Sequence, residues 1–155
     1  MEHGTIEREF HIEAAPEVVF EVISSPDHIR EWWQADADLE PVAGTTGELV
    51  WGDKSTGDAH VSRITVVEAQ PPRLFAFRWV YDEDALPAAD NSLLVSFELV
   101  AAGDGTTVRL TETGFRERGW EAAVLEQHYN EHSAGWDAHF LGGLRAYLTR
   151  LAAAA

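Results

Sequence analysis

The 155-residue sequence predicts an α+β fold: a curved antiparallel sheet of about seven strands wrapped around a long C-terminal helix, with two short helices after strand 1. Three observations predict it. Period-two alternation of apolar and polar residues recurs in segment after segment up to Thr113, the mark of half-buried strands. Two proline-opened segments with apolar faces follow the first of these strands at once. The C-terminal stretch carries one apolar stripe at three- and four-residue steps, the period of a helix laid across a sheet.

In Thr5–Glu13, Ile6, Arg8, Phe10 and Ile12 point one way and Glu7, Glu9 and His11 the other. Pro16 then opens a helix at a first-turn position, where its missing N–H costs nothing, and Val18, Val19, Val22 and Ile23 give it an apolar face. Pro26-Asp27 begins a second short helix that carries Ile29, Trp32 and Trp33. The strands expected next are Asp38–Val42, Gly47–Trp51, Ala59–Ala69, Leu74–Tyr81, Leu93–Ala101 and Thr106–Thr113. Gly52-Asp53, Gly57-Asp58, Pro71-Pro72 and Gly103-Asp104-Gly105 punctuate them. Asp82 to Asn91 reads as an acidic loop at the sheet's rim. From Glu117 to Leu151 the chain is helical, with Trp136, Phe140, Leu144, Tyr147, Leu148 and Leu151 as its stripe and a kink expected near Asn130. No repeat or second domain is visible, so residues 1–155 read as one domain.

Composition narrows the partners. Twenty-seven acidic residues face 11 basic ones, for a net charge of −16. Phosphate backbones and anionic lipid surfaces repel such a chain, which argues against nucleic acid. The absence of cysteine removes disulfides, thiolate metal sites and cysteine nucleophiles together. No stretch approaches the roughly 20 apolar residues of a membrane span. Glu2, Glu7, Arg8 and Glu9 make the N-terminus unlike a signal peptide, so a cytoplasmic protein without membrane insertion is expected.

Four segments carry a family resemblance. Ile12-Glu13-Ala14-Ala15-Pro16-Glu17-Val18-Val19-Phe20 resembles an opening strand and first helix, and Pro26-Asp27-His28-Ile29-Arg30-Glu31-Trp32-Trp33 resembles a second helix of pattern P-x-H-x-x-x-W-W. Glu68-Ala69-Gln70-Pro71-Pro72-Arg73-Leu74 is similar to a strand–PP–strand turn. Gly105 to Val108, Thr111 to Phe115 and Gly135-Trp136 complete the match. In this order and spacing they resemble the AHSA1-like (activator of Hsp90 ATPase homologue) branch of the START/Bet v 1-like, or SRPBCC, superfamily. The resemblance implies the helix-grip fold and a cavity between sheet and C-terminal helix.

Alternation then nominates the cavity's walls. With Arg78 facing solvent, Phe75, Phe77 and Trp79 turn inward; with Ser96 and Glu98 outside, Val95 and Phe97 turn inward. Ile64 and Leu110 lie on the inner face of their strands. Trp32, Trp33 and Trp51 are expected near the mouth, and the helix adds Trp136 and Phe140. Aromatic side chains in this number suit an apolar, aromatic or lipid-like ligand, although the same residues also serve as ordinary core.

Two inward polar residues are candidates for acid–base work. Glu112 shares the face of Val108 and Leu110, where it either meets a ligand or pairs with Arg8, which is inward on the first strand. His60 is the second. His128-Tyr129-Asn130-Glu131-His132 spells H-x-x-E-H, an inverted zinc-hydrolase pattern. Such sites need a third ligand; Asp137 lies on another face, and His139 is about 10 Å further along the helix axis. A chance match is the better account, and neither a metal nor a cofactor is expected. The leading expectation is therefore a protein that binds an apolar small molecule or lipid. The alternatives are an enzyme of cyclase, dehydratase or hydrolase type using Glu112, and a module contacting an Hsp90-type chaperone.

Overall fold

The computed structural model describes residues 4–57, 59–80, 87, 92–115, 118 and 120–154. The acidic loop expected over 82–91 lies outside them, apart from Pro87. Strand β1 (Thr5–Ile12) leads into helices α1 (Pro16–Ser24) and α2 (Pro26–Trp32). Six strands follow: β2 (Asp36–Asp38), β3 (Thr46–Trp51), β4 (His60–Gln70), β5 (Leu74–Val80), β6 (Leu93–Ala102) and β7 (Gly105–Thr113). They pair antiparallel in the order β1-β7-β6-β5-β4-β3-β2, with a bulge in β4 between Val66 and Glu68. This is the helix-grip arrangement.

Local chemistry explains the boundaries. Strand β2 is shorter and earlier than the expected Asp38–Val42, because Pro41 has no N–H to give to a ladder. Gly103, with φ of 61°, takes the left-handed backbone that the two-residue β6–β7 hairpin requires at its first turn position. Helix α1 turns Val19, Phe20, Val22 and Ile23 to the core and leaves Val18 exposed, one position off the expected face.

The C-terminal helix differs from expectation in a way that matters for the site. Helix α3 (Ala122–Trp136) runs unbroken through Asn130, and the irregularity comes later, as a π-helical segment over Asp137–Leu144 that leads into α4 (Arg145–Ala154). Trp136, Phe140, Leu144 and Leu148 are all buried at four-residue steps. In a regular α-helix each such step advances about 40° around the axis, so the stripe would wander off the sheet. The wider π turn takes that advance back and keeps all four on it. Gly143 sits inside this segment against α2, where an added Cβ would lie 2.6 Å from the carbonyl oxygen of Trp32.

The core lies between the concave sheet face and this composite helix. Fully buried Phe75, Phe97, Phe140, Ile64, Leu110 and Leu144 form its centre, each large side chain contributing roughly 1.5–3 kcal/mol of burial. Among the described residues no helix is long and apolar enough to cross a membrane.

Candidate functional site

The space between sheet and helix divides into a solid part and a hollow part. Phe77 and Phe97 stand 6.5 Å apart centroid to centroid, Phe97 and Phe140 6.2 Å, and Phe10 and Phe140 4.9 Å. With Ile64, Phe75, Val95 and Leu110 these rings pack the middle of the fold, and none of them reaches an opening. The opening is at one end. A partly open pocket of about 160 Å³ is lined by Trp33, Trp51, His60, Trp79, Glu131, His132, Gly135, Trp136 and His139.

Of the twelve residues nominated for ligand contact, the structure brings Trp33, Trp51, Trp79 and Trp136 to this wall. Ile64, Phe75, Phe77, Val95, Phe97, Leu110 and Phe140 are core. Trp32 lies behind Trp33, stacked at 5.0 Å and 7°, with its indole N–H donated to the Val22 carbonyl at 2.9 Å. The four wall indoles contact one another at centroid distances from 5.3 to 6.3 Å. Trp51 is fixed further by an N–H bond to the Trp33 carbonyl at 3.1 Å.

Glu112 is fully buried and stands just behind that wall. The indole N–H of Trp79 reaches its Oε2 at 2.8 Å, that of Trp136 reaches its Oε1 at 2.8 Å, and Nδ1 of His132 lies 3.0 and 2.9 Å from the two oxygens. The pairing with Arg8, one of the two alternatives for Glu112, does not form. On β1, Arg8 sits opposite Leu110 while Ile6 sits opposite Glu112, and the guanidinium runs outward to Asp137 at 2.7 Å and Ser133 at 2.7 Å. Both oxygens of Glu112 are occupied as acceptors, and the residue is absent from the pocket wall. What it presents to the pocket is His132, oriented through one ring nitrogen while the other, Nε2, is buried across the ring.

Three histidines from three elements therefore share one pocket: His60 from β4, His132 from α3 and His139 from the π-helical segment. Burial holds His139 below the ordinary imidazole value of 6.5, which favours its neutral form. His60 was legible by alternation. His132, His139, Glu131 and Gly135 were not assigned to the pocket; the H-x-x-E-H string held Glu131 and His132, and its second histidine faces the sheet. Its first, His128, stacks on Trp120 at 4.1 Å and 16°, away from the pocket. Among the described residues no three histidine, aspartate or glutamate side chains are arranged to hold a metal ion.

Seven antiparallel strands gripping a C-terminal helix, two short helices after β1 and an aromatic pocket at the helix's edge define a helix-grip protein of the START/Bet v 1-like class. More narrowly, the family model described as activator of Hsp90 ATPase homolog 1-like protein matches residues 13–149, and the chain belongs to that family. No curated protein matches it. Among solved structures it is similar to protein MLL2253 from Mesorhizobium loti, with 22% identity and TM-score 0.72 over 94% of this chain and 97% of that one. It is also similar to CalU16 from Micromonospora echinospora, with 20% identity and TM-score 0.65 over 93% and 73% of the two chains. The Aha1 dimer from Colwellia psychrerythraea shares 17% identity at TM-score 0.59, over 89% of this chain and 97% of that one. At these identities the likeness shows the fold alone.

Proposed function

We propose that the protein binds a small, flat, aromatic or apolar molecule in the pocket between α3 and the β4–β5 end of the sheet. The observation that carries this reading is the hollow itself: about 160 Å³ walled by four indoles. A 150 Å³ apolar cavity is known to admit benzene, whereas drug-sized ligands occupy roughly 300–1,000 Å³. The dimensions favour one ring with a short substituent over a lipid chain.

Gly135 supplies a clean test. It is helical, it lines the pocket, and a Cβ added there meets no atom within 4 Å. Gly135→Leu starts from a Cβ with open space around it, directs its side chain into the hollow and gains about 0.8 kcal/mol of helix propensity. Titration with phenol, indole and benzyl alcohol is expected to shift the tryptophan emission of the wild type and leave that of Gly135→Leu unchanged, with the variant at least as stable to urea. Flat wild-type titrations, or a variant that binds as the wild type does, would count decisively against the reading.

A second reading, enzymatic, is favoured by the Glu112–His132 pair. A carboxylate that orients one ring nitrogen of a histidine at a pocket wall is an arrangement suited to proton transfer. In this reading His132 moves the proton, His60 and His139 are the neighbouring polar groups, and Glu112 positions His132 without touching substrate. Small aryl β-hydroxyketones and aryl esters are the substrates to screen. Turnover of any of them should disappear in His132→Gln; turnover that survives this change excludes His132 from the role. The chaperone reading draws support from the family's name only.

A further inference from the structure

We propose that the pocket selects an organic cation, of the arylalkylammonium or small quaternary ammonium class, over neutral and anionic molecules of the same shape. This deepens the binding reading above and rests on it. The first support is the walls. Indole has the strongest quadrupole of the side-chain rings and attracts a cation held over its face. Two of these indoles, Trp79 and Trp136, donate their N–H groups to a buried carboxylate, which polarises them toward greater electron density on the ring.

The second support is what the walls lack. Among the described residues no lysine or arginine lines the pocket, and the nearby Arg8 is engaged by Asp137 and Ser133. An anion would need donors, and three of the four indoles, Trp51, Trp79 and Trp136, direct their single N–H groups at protein acceptors, which leaves it chiefly neutral donors and no fixed positive charge. Glu131 stands at the exposed edge of the wall, and Glu112 lies behind it with only Trp79, Trp136 and His132 as partners among the described residues. The third support is the field of the whole chain: a net charge of −16 raises the local concentration of cations and repels anions. An ammonium N–H also finds an acceptor in a neutral imidazole, the form that burial favours at His139.

Benzylammonium, benzyl alcohol and benzoate share one skeleton and differ in charge, so calorimetric titration of the three at low salt near neutral pH isolates the effect. Benzylammonium is expected to bind about tenfold tighter than benzyl alcohol, as a desolvated cation–π contact with a nearby carboxylate allows, and benzoate not to bind. Glu131→Gln should narrow the benzylammonium advantage over benzyl alcohol by about threefold. Gly135→Leu should abolish benzylammonium binding, which places the cation in the pocket and not on the acidic surface. Equal affinity for the cation and the alcohol overturns the charge preference and leaves the binding reading standing. Silence from all three probes overturns both.

Discussion

Glu112→Ala is expected to unfold about 3–5 kcal/mol more easily than the wild type in urea, the largest loss any single pocket-region substitution should cause. The carboxylate is fully buried and serves three N–H groups at once, from Trp79 on β5 and from His132 and Trp136 on α3. Removing it takes an acceptor from all three, and each buried donor deprived in this way costs roughly 1–3 kcal/mol. Loss of the carboxylate's own desolvation penalty offsets part of that sum. Glu112→Gln should fall between the two, because the amide retains one oxygen but sets an NH₂ against a donor. Since a domain's whole stability is about 5–15 kcal/mol, the alanine variant should melt far below the wild type. An alanine variant within about 1 kcal/mol of wild type would mean that these bonds do not hold sheet to helix.

At two adjacent glycines, the same substitution should have opposite signs. Gly143→Ala places a Cβ 2.6 Å from the Trp32 carbonyl oxygen, a backbone atom that cannot swing aside. The π-helical segment must back away from α2, at a cost of about 2–3 kcal/mol, typical of overpacking. At Gly142 the nearest atom to an added Cβ is the Asp137 carbonyl oxygen at 3.6 Å, an ordinary contact. Gly142→Ala should therefore stabilise by about 0.5–1 kcal/mol through the loss of glycine's unfolded-state freedom. Thermal unfolding of the two variants side by side decides it. If both move the same way, the approach of helix to helix at Trp32 is not as tight as the structure has it.

Period-two alternation fixes which face a side chain occupies, and on β5, β6 and β7 it put Trp79, Phe97 and Glu112 inside, where they are. It cannot say what stands opposite. Glu112 was legible as an inward carboxylate, but its partner lies 20 residues further on, on a helix whose rotation about its axis depends on packing. Arg8 shared the same face by pattern and was thus an equally good partner on paper. For the same reason the hollow could not be separated from the core: Phe77 and Trp79 are equivalent by alternation, and only the distance to the helix leaves space at one and none at the other. The π-helical segment was illegible because it is a change of hydrogen-bond register, although the unbroken four-residue spacing of Trp136, Phe140, Leu144 and Leu148 was its trace in the sequence.

Five of the six tryptophans, Trp32, Trp33, Trp51, Trp79 and Trp136, are coupled ring to ring at 5.0–6.3 Å. At such separations excitation hops between indoles faster than it decays, so a photon absorbed by any of the five is shared among them. Their fluorescence behaves as one lamp set into the wall of the hollow, with Trp120 as a separate emitter against His128. A guest of the kind proposed is expected to dim or recolour that lamp as a whole, which would give the protein its own optical gauge of occupancy.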